Sequence, residues 1–547
     1  MVTRRNQIIA GLLLFTIALA VVFRPHPYDH GNTLVVLSSS APDSLDPGMS
    51  YTALSWQMMF NVYDGLLTYK KAGGAAGNQL VPDLAVAMPV VSDGGKTYSF
   101  KMRAGVKFGP PANREVLPSD IKWAIERLYK LPSPGLGFYQ SIDGADAYAK
   151  GKAKDLSGIV VDDTARTIQF HLTAADGTFS YKLAMMFAVA VPKETPAKDM
   201  SFRGFVPATG PYHFSEYTAQ RRILITKNPV FQSWSPDVPA GHVNGIDIQL
   251  GPAADNSVTK IKQGTADMSL DGIPAARLPG LKRDPSQKTN IHQEIQATTQ
   301  YIFMNTQVAP FNNKLLRQAV NYAVDRRALV KLLGGRAVAT ENVLPPLLPG
   351  FKAHNLYPGP DLAKARQLVA ASGVKPGKIS FWCLAGTGPN PTAEYMQKVL
   401  NDLGFTTELK CLDFAVFFTT IGNPSTKAQI GFANWGQDFP EGSDFVDVLL
   451  NGKRITPQGN NNAAMYQGQD AEIARVNLLL DQKQRDAAWS ALDEKIMEDA
   501  PWAPYANPVS YTLTSSRVRN FVAHPTYGML FMLADLDQKK TSGGGAP

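Results

Sequence analysis

Apolar and polar positions along the 547 residues switch repeatedly between a two-residue and a 3.6-residue period, the signatures of strand and helix. Residues 33–37 are a short apolar run that predicts a strand, followed by a turn-rich stretch from Ser38 to Pro47. Helical spacing over 54–63 stops near Asp64-Gly65. Residues 97–102 and 167–172 alternate as strands, entered through turns at Asp93-Gly94-Gly95 and Asp162-Asp163. Between them, Ser119-Asp120 starts a helix carrying Trp123, Ile125 and Leu128. Strands are predicted at 222–226 and 245–250, a short helix at 258–263 and a further strand segment at 266–270.

From residue 301 helices become denser. A strand at 301–305 precedes one long helix over 313–333, with Leu315, Leu316, Ala319, Val320, Ala323, Val324 and Leu329 on its apolar side. Asp361 caps a helix over 362–372 that stops at Gly373. Then come a strand at 379–384, a helix over 392–403, a strand at 406–412 and another at 429–435. Paired helices over 472–480 and 486–497 and strands at 509–514 and near Phe521 complete the pattern. Residues 542–547 read as a frayed tail. Strands and helices thus alternate through both halves, which predicts an α/β chain with two lobes. Strand-like segments at both ends indicate that the chain leaves its first lobe and later returns.

Composition narrows the class. With 44% hydrophobic, 10% aromatic and 18% charged residues the chain is globular, neither disordered nor a coiled coil. The uncharged run 8–23 after Arg4 and Arg5, with Ala18-Leu19-Ala20 at its exit, has the grammar of a secretory signal over residues 1–20. An uncleaved membrane anchor is the alternative. No Cys lies near the exit for lipid attachment. The net charge of +8 falls to +6 without Arg4 and Arg5, and no run of five basic residues exists, so nucleic-acid binding has no support.

Cys383 and Cys411 lie in the two strands of a strand–helix–strand unit whose parallel strands can be neighbours. A disulfide between them is expected in an exported protein, with two buried thiols as the alternative. Catalytic signatures are missing. Gly94-Gly95-Lys96-Thr97 lacks the upstream Gly and the following helix of a phosphate loop and reads as a hairpin turn. The eight histidines have no metal-ligand spacing, and no G-x-S-x-G elbow occurs. The most suggestive cluster is Asn434-Trp435-Gly-Gln-Asp438-Phe439-Pro440, at the carboxyl end of a strand, where open α/β sheets form crevices. A carboxylate beside Trp435 and Phe439 suits a ligand ammonium. On spacing alone Asp438 serves equally as a turn cap, with Trp435 in the core.

Ordered landmarks carry a family resemblance: Asn61-Val-Tyr-Asp-Gly-Leu66, Pro82-Asp-Leu-Ala85, Lys101-Met-Arg-Ala-Gly-Val-Lys-Phe108, Pro118-Ser-Asp-Ile-Lys-Trp-Ala124, Thr209-Gly-Pro-Tyr212, Gly264-Thr-Ala-Asp267, Asn305 with Pro310-Phe311, and Arg317-Gln-Ala-Val-Asn-Tyr-Ala-Val-Asp325. From about Thr33 to Tyr527 the chain resembles the extracytoplasmic substrate-binding proteins of peptide-type ABC importers, the dipeptide, oligopeptide and nickel-binding solute family 5. The resemblance implies a two-lobed α/β fold with a ligand cleft between the lobes and a subdomain inserted in the first. Residues 32–72, 206–298 and 510–540 would form the first lobe, 73–205 the insert and 299–509 the second lobe. It implies no catalytic role, no cofactor, a monomer, and docking of the closed form on permease subunits in the membrane.

In peptide-binding relatives an Asp in a W-x-x-D pattern pairs with the peptide amine, and Trp435-Gly-Gln-Asp438 matches. The turn Ser39-Ser40-Ala41 would run along the ligand backbone, and Trp382 would line the cleft or join the core. Dipeptide-specific relatives carry an Arg six residues after the equivalent of Trp382. Here Gly388 stands there, which points to a ligand longer than a dipeptide. A nickel chelate, an oligosaccharide or another small solute is the alternative ligand. A hydrolase on the same scaffold and a chaperone-like role for unfolded segments are the more distant readings.

Overall fold

The computed structural model describes residues 31–201, 204–386, 388–457 and 459–537. The expected signal or anchor over 1–20, the histidines His26 and His30, and the tail 542–547 lie outside these residues. Among the described residues no helix is long and apolar enough to cross a membrane.

The apolar run near the start forms the strand Thr33–Ser38, buried on both faces. It lies between parallel neighbours Met268–Ser269 and Gly245–Leu250, and the antiparallel strands Arg222–Lys227 and Tyr212–Thr218 complete a five-stranded sheet. A near-continuous hydrophobic strand is what a parallel position covered on both sides requires. A separate antiparallel sheet of Val90–Ser92, Thr97–Lys101, Thr167–His171 and Ile159–Asp162 packs on the same core, and its central strands Thr97–Lys101 and Thr167–His171 alternate buried with more exposed positions. The helix Pro118–Leu128 covers it. Its start is held by Asp120, which accepts from the Leu117 N–H at 2.8 Å, and by Asp163, which accepts from Ser119.

The second lobe is built on a seven-stranded sheet. In spatial order it runs Ile291–Ile295, Trp502–Leu513, Thr298–Met304, Ile430–Gly436, Lys378–Leu384 and Thr406–Leu412, with Ala337–Ala339 also paired to Trp502–Leu513. Cys383 and Cys411 stand opposite each other on the parallel pair and are joined as a disulfide, with the helix Pro391–Asp402 between their strands.

Two strands carry the chain between lobes. Trp502–Leu513 pairs through its first half with Thr298–Met304 and through its second half with Ile291–Ile295. Val509, Tyr511 and Leu513 pack with Val35 and Leu37 of the first sheet, whereas Trp502 and Ala503 pack in the second lobe. The ribbon is pinned where it crosses: Gln296 donates its N–H to Pro508 O at 2.8 Å, and Asn507 Nδ2 donates to Thr298 O at 2.9 Å.

Three elements depart from the periodicity. The expected helix over 313–333 is two, Lys314–Ala323 and Arg326–Leu332, because the Asp325 carboxylate accepts from Arg327 and Ala328 N–H groups and starts a new helix. The strand expected at 509–514 begins at Trp502. Pro504 and Pro508 masked its first half, yet their carbonyls still accept, from Arg326 and Gln296. Short strands lie at Val518–Arg519 and Ala523–His524, on either side of Phe521 rather than at it.

The returning C-terminal segment is fastened by one buried ion pair. Arg517 grips Asp267 through Nε to Oδ1 and Nη2 to Oδ2, both at 2.6 Å, and also donates to the Gly31 and Thr33 carbonyls. Asp267 in turn accepts from the Val35 N–H and from Ser515. Arg517→Ala leaves that carboxylate buried without its cation, and a loss of about 3–5 kcal/mol in chemical denaturation is expected; a loss below about 1 kcal/mol would show the pair to be incidental.

Candidate functional site

A cavity of about 680 Å³ lies between the lobes. Its floor is the crossing ribbon. Glu294, Gln296, Thr298 and Gln300 line it from the consecutive strands Ile291–Ile295 and Thr298–Met304 and their joint, and Pro508, Ser510 and Thr512 from Trp502–Leu513. From the first lobe come Tyr51 to Leu54, Trp56, Gln57 and Ala523 to Met529; from the second come Asn434 and Gly436 to Asp438. An adjoining cavity of about 310 Å³ shares Leu270, Gln296, Gln300, Pro508, Ser510 and Thr512 and adds Asp271 and Arg336. The two form one continuous cleft over the ribbon.

Asp438 belongs to a tightly anchored loop after the strand Ile430–Gly436. Gln437 N–H donates to Ala297 O at 2.9 Å. Asp438 N–H donates to Asp444 Oδ2 at 2.8 Å, in the first turn of the helix Ser443–Leu450. Glu441 accepts from Arg485 Nε at 2.6 Å and Trp489 Nε1 at 2.8 Å, and the absent side chain of Gly442 lets Trp489 lie against the loop. The Asp438 carboxylate is therefore free of backbone duty, and Asp444 does the capping. Asp438 Oδ2 accepts instead from the Tyr51 hydroxyl of the opposite lobe, at 2.5 Å. Tyr51 is held by the rings of Trp56, Phe138 and Phe187 and by Asp43, which accepts its N–H.

Electrostatically the cavity is short of positive charge. No lysine or arginine is among the described residues lining the larger chamber. Burial pushes the Asp438 carboxyl up to about 7, against the pull of the Tyr51 hydrogen bond. Burial, with Asp438 next to it, drives Asp444 well above the carboxylate range, although the neighbouring Trp435 indole favours its charged form. His524 is pushed down to about 3 by burial, so it is neutral, and its Nδ1 accepts from the Thr526 and Tyr527 N–H groups. Several wall groups have no protein partner: Gln300 Oε1, Gln437 Oε1, His524 Nε2 and Tyr527 OH. Such groups are costly unless a ligand or water satisfies them.

The expected site residues are distributed unevenly. Asp438 lines the cavity. Phe439, two percent exposed, crosses into the first lobe's core and stacks on Tyr181 at 6.1 Å, so it packs lobe on lobe. Trp435 and Trp382 are half-buried against the second lobe's core; Lys410 sits 5.3 Å over the Trp382 ring. Ser39, Ser40 and Ala41 follow the first strand. Ser39 N–H and Oγ donate to Asp271, which lines the smaller chamber, so this turn borders the cleft from behind Asp271. Periodicity gave no hint of Tyr51, Asp444 or Arg336. The polar alternation Glu294, Gln296, Thr298, Gln300 was readable as one face of a strand, though the predicted strand started only at 301.

Residues 79–457 match the model of the bacterial extracellular solute-binding proteins, family 5, middle region. The chain belongs to this family. Family membership makes it a binding protein that works outside the cytoplasm. It is 27% identical over 521 residues to heme-binding protein A of Haemophilus influenzae, covering 90% of each chain. It is 25% identical over 544 residues to di/tripeptide-binding protein 1 of Pseudomonas aeruginosa, covering 95% of this chain and 97% of that one. Among solved structures, the clavulanic acid biosynthesis oligopeptide binding protein 2 aligns with a TM-score of 0.85 at 24% identity, over 92% of this chain and 95% of that one. A Helicobacter pylori periplasmic binding protein in complex with the peptide STSA aligns with a TM-score of 0.73 at 23% identity, over 92% and 98%. These likenesses establish the two-lobed fold.

The Tyr51 contact has a measurable consequence. Removing its donor in Tyr51→Phe takes away the bond that favours ionised Asp438, so its pKa rises above about 7. Carboxyl-carbon NMR titration of the aspartates reads this directly, and an unchanged or lower value contradicts the assignment.

Proposed function

We propose that the protein is a receptor for short peptides that captures the free α-amino group at Asp438, closes its lobes over the ligand and delivers it to an ABC importer. The observation that carries this reading is a cleft carboxylate held by one neutral hydroxyl, with no lysine or arginine among the described residues that line the larger chamber. A ligand ammonium supplies the missing charge and converts a destabilising burial into a charge-assisted hydrogen bond. The neutral amides and hydroxyls along the ribbon suit a peptide backbone, which presents donors and acceptors at every residue. Peptide ligands are also named for several relatives, among them the Pseudomonas aeruginosa di/tripeptide-binding proteins.

In this reading residues 32–72, 206–298 and 510–540 act as the first lobe, 73–205 as its insert and 299–509 as the second lobe. The Arg517–Asp267 pair, which ties the last segment to the first, supports that division. Closure is stabilised only to the extent that ligand binds the closed state better. Contacts between the lobes supply the latch: Tyr51 to Asp438, Gln437 to Thr526 at 2.7 Å, and Gln482 to Tyr181 at 2.6 Å. The closed monomer then docks on permease subunits. Residues 1–20 direct export, as a cleaved signal or as an anchor.

Titration calorimetry with a random tetrapeptide pool tests the amine site. Asp438→Asn should weaken binding by at least about 2 kcal/mol, and N-acetylation of the pool should do the same. In the unmodified protein the affinity should fall about tenfold between about pH 8 and pH 6, because protons compete with the ammonium for a carboxylate that titrates near 7. Equal binding of acetylated and free pools, or tight binding of haem with none of peptide, would overturn the reading.

A further inference from the structure

Away from the cleft, one end of the first lobe gathers positive charge that the protein does not balance. The helix Ala254–Lys262 carries Lys260 and Lys262 in its last turn, and the helix Leu278–Arg283 ends on Arg283. The two descend side by side. Arg277 Nη2 donates to Thr259 Oγ1 at 3.5 Å, and further along Lys262 pairs with Asp284 at 3.2 Å. Lys288 follows the short turn Pro285–Gln287. Lys262, Arg283 and Lys288 are exposed and Lys260 is half-buried. Among the described residues Lys260, Arg283 and Lys288 have no ion-pair partner, so these cations face only Asp284. The other acid at this end, Asp267, is buried against Arg517.

The chain enters the fold at this same end. Thr514 N–H donates to Asn290 O at 2.9 Å and Ser515 N–H to Asp267 O at 2.7 Å, while Arg517 donates to the Gly31 and Thr33 carbonyls. Lys288 lies two residues before Asn290 and Lys262 five before Asp267, so both stand beside the point where Gly31 leads into the strand Thr33–Ser38. The turn at the other end of that strand, Ser39 to Ala41, borders the cleft. The basic end and the ligand site thus lie at opposite ends of one strand. In the sequence, seven residues, 24–30, separate Gly31 from the uncharged run 8–23. They span at most about 25 Å. In the form that keeps this run in a bilayer, the basic end lies within that reach of the surface. The run's sixteen residues fall short of the roughly 20 that a spanning helix needs, so a second attachment adds to the hold.

We infer that this end of the first lobe rests on an anionic bilayer surface through Lys260, Lys262, Arg283 and Lys288, with the cleft turned outward. This goes beyond peptide capture, since it keeps an exported receptor at the membrane while its cleft faces the solution. Each basic side chain adds a modest attraction to anionic headgroups, and the attraction decays over about 8 Å at physiological salt. Four such contacts hold weakly, so a loaded receptor is free to turn toward its permease.

Lysine acetylation of the full chain on vesicles, read residue by residue by mass spectrometry, tests this. On vesicles of phosphatidylcholine and phosphatidylglycerol at roughly 3:1, Lys260, Lys262 and Lys288 should react at least about threefold more slowly than on phosphatidylcholine alone. Lys150 of the insert and Lys398 of the second lobe, both exposed, should react equally on the two. Salt at about 0.5 M should abolish the protection. Arg283→Glu combined with Lys288→Glu should remove the protection of Lys260 and Lys262 and leave the melting temperature within about 2 °C. Equal reactivity on both vesicle types, equal protection of Lys150 and Lys398, or protection that survives the double substitution each overturns the inference. Protection by soluble polyglutamate without vesicles also overturns it, as the mark of an acidic protein partner. Peptide capture at Asp438 is independent of each of these outcomes.

Discussion

Asp438 and Asp444 are packed together in the wall of an interlobe cleft whose larger chamber, among the described residues, offers them no lysine or arginine. Burying a carboxylate without a cation is costly, and the protein meets the cost in part by raising both pKa values and in part by the Tyr51 hydroxyl. The rest of the site is arranged around that tension. The loop 437–443 is tied down by Ala297, Asp444, Arg485 and Trp489, which fixes the Asp438 backbone in the cleft wall. A ligand amine relieves the tension most directly, which makes the strain a source of binding energy held ready before the ligand arrives.

The crossing ribbon makes such a site compatible with motion. Among the described residues the crossing ribbon joins the lobes, and its cleft-facing side chains are small or polar, so the floor of the cavity is also its axis. Ligand contacts to Gln296, Thr298 and Ser510 therefore lie close to where the lobes turn, whereas Asp438, Tyr51 and Phe439 lie on the surfaces that meet. Phe439 illustrates the division of labour. Next to the charged residue, it enters the other lobe's core and stabilises the closed arrangement through apolar burial.

Much of this was legible from the chain. The two-lobed α/β pattern, the return of the C-terminus, the Cys383–Cys411 neighbourhood and the position of Asp438 at a strand end follow from local periodicity and from the ordered landmarks. What escaped was non-local or disguised. The break at Asp325 interrupts an apolar stripe that continues across it. The first half of the strand Trp502–Leu513 hid behind prolines whose carbonyls carry its contacts. Tyr51 sits in a segment with no periodic signal, and its meaning arises only when Asp438 is brought beside it. Trp435 and Phe439 were attractive as aromatic neighbours of a carboxylate, yet both are half or fully committed to packing.

The most direct measurement is a crystal structure of the protein with a bound free-acid tetrapeptide. The account predicts the terminal ammonium within hydrogen-bond distance of an Asp438 oxygen and the peptide backbone running across Gln300 and Ser510. A ligand bound in the opposite direction, or one that leaves Asp438 bonded to Tyr51 alone, would contradict it.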